Sequence, residues 1–125
     1  MIVVDTSAIM AMALEEPAVA RCIDALDQAD VILMSAVSKI ELLVVANGRG
    51  IYTQVETLLA GLPIEVIAVT PESVRGVVDA YRQWGKGIHP AALNICDCFA
   101  YALAKDQNCS LLFVGEDFAK TDVAR

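Results

Sequence analysis

Four acidic residues have the surroundings of metal ligands rather than of solvated charges. Asp5 ends the apolar run Ile2-Val3-Val4, Glu41 is the only acid in the apolar stretch Ser35 to Ala46, Asp97 lies inside the stretch Ile95 to Leu103, and Asp117 follows the apolar run Leu111 to Val114. An ionised carboxylate taken out of water is strongly disfavoured unless a cation compensates it. Asp5 and Asp97 have no Lys or Arg beside them, and Lys39 is the base nearest Glu41. Hard oxygen donors short of protein cations suit Mg²⁺ or Mn²⁺.

Each acid also has a plainer role open to it. Asp5 precedes Thr6-Ser7 and suits a helix N-cap as well as a ligand. Glu41 lies three residues after Ser38, the capping-box spacing. Ser35 is the better start signal, however, and it leaves Glu41 on a helix face with Val37, Ser38, Val44 and Val45. Asp97 follows Asn94 by three residues, which allows a cap and favours the helix dipole. Its flanks Cys96, Cys98 and Phe99 leave it little solvent. Asp117 and Asp122 lie in polar loop sequence, and Asp24, Asp27, Asp30 and Asp106 read as solvated faces or turns.

The elements that must position these acids alternate. Ile2 to Asp5, Val31 to Met34, Glu65 to Val69 and Leu111 to Val114 read as strands, with a further edge strand expected at Asp122 to Ala124. Helical patterns cover Ala8 to Leu14, Ala18 to Ala29, Ser35 to Ala46, a segment ending near Leu59, Pro71 to Trp84, and Asn94 to about Asp106. Strand and helix alternation implies a mainly parallel sheet of four to five strands covered on both faces, an α/β chain with a three-layer α/β/α sandwich. In such sheets ligands gather at the carboxyl ends of the strands. Asp5 and Asp117 fall at such ends, and Glu41 and Asp97 lie early in helices that can point back to the same edge.

The 125 residues, 57% hydrophobic, suffice for one domain, spanning residues 1–125, with a core of its own. Cys22, Cys96, Cys98 and Cys109 show no paired metal-ligand spacing and are expected as reduced, small hydrophobes, which suits a cytoplasmic protein. No basic leader and no apolar stretch of bilayer length is present, so no membrane association is expected. Sixteen acids against nine bases give a net charge of −7, which opposes nucleic-acid binding unless a divalent ion reverses the sign at the acid cluster. Arg82 and Lys86, four apart on one helical face, and the lone His89 in the loop that follows are the bases available for phosphate contact, although plain solvation also suits them. Met10, Met12, Leu14, Val19 and Ile23, with the Leu42 to Val45 run, exceed what a small sheet covers and predict a dimer surface or a groove for a partner.

Together these segments resemble the PIN-domain ribonucleases, and within them the VapC-type toxins of bacterial toxin–antitoxin pairs. The resemblance rests on Met1-Ile-Val-Val-Asp5-Thr-Ser-Ala8, on Ser35 to Leu42 carrying Glu41, on His89 to Ala104 carrying Asn94 and Asp97, and on Leu111 to Phe118 with Thr121-Asp122. It spans the whole chain. Two positions depart from the pattern: Cys96 stands where a Gly directly before the Asp is expected, and Gly115 stands where many PIN domains place an acid. The resemblance implies a PIN-like α/β/α sandwich in which Asp5, Glu41, Asp97 and Asp117 hold one or two Mg²⁺ or Mn²⁺ ions. It implies RNA hydrolysis by water activated at the metal, with Thr6, Ser7 and Asp122 orienting the ligands or the water. It further implies a small basic antitoxin as partner, laying an apolar helix along the first helices and directing an Arg or Lys into the acidic cluster, within a homodimer and a toxin–antitoxin hetero-oligomer.

A non-catalytic PIN module and a structure-specific DNA nuclease are the competing readings. The intact four-acid set opposes the first, and the lack of extra helical insertions opposes the second. A phosphoaspartyl enzyme is rejected because Ser7 stands where it needs its second acid, and a receiver domain because it needs an adjacent acidic pair after the first strand.

Overall fold

Short runs of branched apolar residues form four strands, β1 (Ile2–Val4), β2 (Ile32–Ser35), β3 (Ile64–Ile67) and β4 (Ser110–Leu112), in a computed structural model that describes residues 1–125. All pairings are parallel, in the order β3-β2-β1-β4, with Ile2 opposite both Ile32 and Ser110. Helices α1 (Thr6–Ala13), α2 (Val19–Gln28), α3 (Ala36–Gly48), α4 (Tyr52–Ala60), α5 (Val74–Trp84) and α6 (Ile95–Asp106) make the crossovers that parallel pairing requires.

The two-residue period of the strands divides the core in two. Val3, Leu33, Leu111 and Phe113 face one way and pack with Val77 and Ala80 of α5, Cys98, Ala100, Tyr101 and Ala104 of α6, and Phe118. Val4, Ile32, Met34 and Leu112 face the other way and meet Ile9 and Met10 of α1, Cys22 and Leu26 of α2, Leu42 of α3 and Val55 of α4. Both faces are covered, so the architecture is the three-layer α/β/α sandwich. All four cysteines are free thiols, and no helix is long and apolar enough to cross a membrane.

Several boundaries differ from the sequence reading for local reasons. Helix α1 starts at Thr6 rather than Ala8 because the Asp5 carboxylate accepts the Ser7 N–H and so caps it. Pro71 opens a 3₁₀ turn over Pro71–Ser73 before α5 begins at Val74. No strand forms at Asp122 to Ala124: Val123 N–H donates to Thr121 Oγ1 at 3.2 Å, and the tail gives β4 only one bond, Leu111 N–H to the Ala124 carbonyl at 2.9 Å. The outer edge of β4 is thereby blunted without being extended.

The apolar surplus divides between core and surface. Met10 is core, and Met12 and Leu14 pack against it. The side chains left in solvent are Ile23 of α2 and, on α3, Ile40 and Val44, which are 63% and 66% exposed, with Val45 beside them. The partner surface expected over the first helices is therefore concentrated on α3, next to Glu41.

Candidate metal centre

The carboxyl end of β1 places Asp5, which is 4% exposed and has its backbone extended as the cap of α1. Its Oδ2 accepts both the Ser7 N–H (3.0 Å) and the Ser7 hydroxyl (2.6 Å). The same hydroxyl oxygen accepts Val114 N–H at 3.0 Å, tying Asp5 to the segment that follows β4. Ser7 thus holds the Asp5 carboxylate through its N–H and its hydroxyl. Thr6 does not, because its hydroxyl donates to the Ser38 carbonyl at 3.0 Å and joins α1 to α3 instead.

Helix α6 places Asp97 through a complete capping box. Asn94 Oδ1 accepts Asp97 N–H at 2.8 Å, and Asp97 Oδ2 accepts Asn94 N–H at 2.9 Å. The capping and the ligand readings of Asp97 are therefore not exclusive, since one oxygen is enough for the box. Helix α3 is capped by Ser35, whose hydroxyl accepts Val37 N–H at 3.2 Å. This sets Glu41 half-buried in its second turn, near enough to Cys96 for its charge to act on that thiol. Asp117 is exposed and makes no side-chain cap to the turn Phe118–Lys120 that it opens. Gly115 ahead of it has φ of +111°, a conformation in which an acid would be strained, and this accounts for the departure from the family pattern there.

The charges of the other three acids all act on Asp97. Burial, opposed by the Asn94 N–H and reinforced by the charges of Asp5, Glu41 and Asp117, raises the Asp97 carboxyl to about 7. Burial likewise raises Asp5, opposed by the bonds from Ser7 and reinforced by Glu41. Cys96 is raised by burial, then by Glu41, Asp97 and Asp5. No protein cation relieves this repulsion: the ion pairs of the chain are Met1 amino with Asp30, and Lys105 with Asp122.

The donor set fits a hard divalent cation, being carboxylate oxygens with no protein cation paired to them. No three His, Cys, Asp or Glu side chains converge on a common point as they stand. The side chains free to close on an ion are the half-buried Glu41 and the exposed Asp117, whereas Asp5 and Asp97 are held by their caps.

Asp122, expected to orient the ligands, is engaged elsewhere. Its Oδ1 accepts the Tyr101 hydroxyl at 2.6 Å and its Oδ2 accepts Lys105 Nζ at 3.2 Å, one and two turns along α6 from Asp97. The Tyr101 bond is the first cause of its lowered pKa. Trp84 Nε1–H donates to the Tyr101 oxygen at 2.9 Å, so the network fastens the tail to α5 and α6. His89 accepts Ala91 N–H on Nδ1 at 3.0 Å and lies edge-on to Trp84 at 4.7 Å. Arg82 and Lys86 are exposed, and no bond brings them or His89 to the acids. Two participants escaped the sequence reading. Cys96 looked like core filler, and Arg21 donates to the Phe113 carbonyl at 3.1 Å across 92 residues, for which sequence carries no signal.

The PIN domain family model matches residues 2–124. Ribonuclease VapC30 of Mycobacterium tuberculosis is 39% identical to this chain over 127 residues, covering 98% of it and 95% of the relative. Among solved structures, VapC20 of Mycobacterium tuberculosis, described as a Sarcin-Ricin loop cleaving toxin, superposes with a TM-score of 0.79 at 14% identity, covering 99% of this chain and 97% of that one. VapBC2 from Rickettsia felis, bound to a DNA fragment from their promoter, gives 0.72 at 16% identity, covering 99% and 96%. The chain belongs to the PIN domain family, in its VapC branch.

Proposed function

We propose that this chain is a Mg²⁺- or Mn²⁺-dependent endoribonuclease, the toxin of a toxin–antitoxin pair, with Asp5, Glu41, Asp97 and Asp117 as its metal-holding and catalytic residues. The observation that carries the reading is that the charges of Asp5, Glu41 and Asp117 all bear on Asp97, with no protein cation paired to any of the four. Relatives named as ribonucleases at 39% identity support the reaction class.

One or two bound ions would supply an activated water and offset charge on the phosphoryl oxygens. The protein's own part is positional. Ser7 fixes the rotamer of buried Asp5, and Asn94 fixes Asp97. Glu41 and Asp117 retain the freedom to close on the ion from α3 and from the loop after β4.

Inhibition follows from the same surface. Ile40, Val44 and Val45 of α3 flank Glu41, and Ile95 at the start of α6 is 54% exposed beside Asp97. A small basic antitoxin laying an apolar helix on α3, with one Arg or Lys reaching the acids, would both cover the site and supply its countercharge. The exposed pair Val74 and Val78, one turn apart on α5, supports a homodimer within the toxin–antitoxin hetero-oligomer.

Incubating the chain with total RNA, with Mn²⁺ and with EDTA, tests the reading. Mn²⁺-dependent fragments from the wild type, and far fewer from Asp97→Asn in the same time, are expected. Equal cleavage by the two proteins would refute it.

A further inference from the structure

An acidic ribonuclease needs somewhere to hold its polyanionic substrate, and Arg82, Lys86 and His89 have no structural link to the acids. A different pair of bases has one. Arg21 of α2 donates from Nη2 to the Phe113 carbonyl at 3.1 Å, and the Arg125 guanidinium lies 5.8 Å from the centre of the Phe113 ring. Both line a hollow of about 550 Å³ at the outer edge of β4, shared with Ala25, Gly115 and Glu116. Neither is in an ion pair, not even with Glu116 in the same hollow. Arg21 uses one donor on the carbonyl and keeps most of its N–H groups free.

The hollow is also in register with the acids. The peptide unit joining Phe113 to Val114 accepts Arg21 on its C=O and donates from its N–H to Ser7, whose hydroxyl donates to Asp5. One rigid plane therefore spaces the guanidinium from the buried carboxylate. Asp117 lies four residues further along the same segment.

We propose that Arg21 and Arg125, gathered on Phe113 at the edge of β4, form a seat for a phosphodiester group of the RNA strand that the four acids cleave. The inference rests on the ribonuclease reading. A guanidinium suits phosphate because its planar fork donates to two oxygens at once. Two of them at one strand end give this acidic chain a local attraction that its net charge denies it.

The test uses the full chain carrying Asp97→Asn, so that RNA stays uncut, with a short fluorescent single-stranded RNA titrated at several salt concentrations in Mg²⁺. Arg21→Ala and Arg125→Ala should each weaken binding about tenfold, the loss of one charge-assisted hydrogen bond. Each should lower the slope of log affinity against log salt by about 0.7, the release expected for one phosphate contact on a single strand. Arg21→Lys should recover part of the affinity, and Arg49→Ala, an exposed base at the end of α3, should change neither quantity. Because Arg21 also braces the 113–114 peptide, the Mn²⁺ dependence of the melting temperature is followed in parallel with each substitution placed in the otherwise wild-type chain, and it should be unmoved in both variants. Undiminished binding in both variants, or a loss confined to Arg21→Ala, would overturn the seat while wild-type cleavage left the ribonuclease reading standing. A wild-type chain that neither binds nor cuts RNA would overturn both.

Discussion

Ser7 and Val114, 107 residues apart in sequence, are joined by a 3.0 Å hydrogen bond from the Val114 N–H to the Ser7 hydroxyl oxygen, and that hydroxyl in turn donates to Asp5 at 2.6 Å. The end of β4 and the start of α1 are thus coupled through one side chain. A carboxylate buried among like charges needs such fixing, because electrostatic repulsion would otherwise turn it away from its neighbours.

Replacing Ser7 by Ala removes both bonds and leaves the Asp5 carboxylate and the Val114 N–H short of a partner. We expect a loss of about 2 kcal/mol, the magnitude for a hydrogen bond to a charged group, measured by urea unfolding. Metal affinity should fall about 10- to 100-fold, as for other groups that orient a ligand. Thr6→Val should lower stability through the lost bond to the Ser38 carbonyl yet leave metal affinity near wild type.

Asp97 gives stability an unusual pH dependence. Its pKa is about 7 in the folded chain against 3.8 for the free group, so between these values the folded state holds more protons than the unfolded one. Its contribution therefore makes the metal-free protein less stable as pH rises through that window, and the fall levels off above about 7. Melting temperatures in EDTA should show this slope in the wild type and a flatter one in Asp97→Asn, which keeps the shape and the capping oxygen. An equal slope in the two proteins would remove Asp97 as its source.

Divalent ions should reverse that penalty. Binding only the folded state, Mn²⁺ at one hundred times its dissociation constant stabilises by ~2.7 kcal/mol. Asp5→Asn and Glu41→Gln should shrink the shift in melting temperature, and Asp27→Asn on exposed α2 should not. A melting temperature indifferent to Mn²⁺ and EDTA would speak against the site.

Much of this was readable in the chain because the signals were local. The strand runs and the caps at Ser35 and Asn94 are short-range chemistry, and Asp5, Glu41 and Asp97 stand out in the chain as acids in apolar company. What escaped was tertiary. Asp122 entered the expected site only through the family resemblance, but the fold turns it to Tyr101 and Lys105. Val123 read as strand because branched residues favour sheets, whereas the Thr121 hydroxyl took its N–H into a local turn. The apolar residues of α1 read as surplus because nothing in their spacing tells that α2 and α4 close over them.

On the partner side, Ile40→Asp and Val44→Asp should leave folding within about 0.5 kcal/mol of wild type, as expected at exposed positions. They should weaken antitoxin binding strongly, which a pull-down with the co-expressed antitoxin would register. Changing the antitoxin's basic residue to Ala should restore Mn²⁺ binding within the complex; undiminished inhibition with a fully metallated site would show that the antitoxin works by coverage alone.

The most direct test of the account is the rate of RNA cleavage by wild type and Asp97→Asn side by side, each in Mn²⁺ and in EDTA. We predict cleavage by the wild type in Mn²⁺ alone, with Asp97→Asn slower by about two to three orders of magnitude, as for loss of one preorganised charge-stabilising group. Cleavage that persists in EDTA, or that Asp97→Asn performs at the wild-type rate, would contradict it.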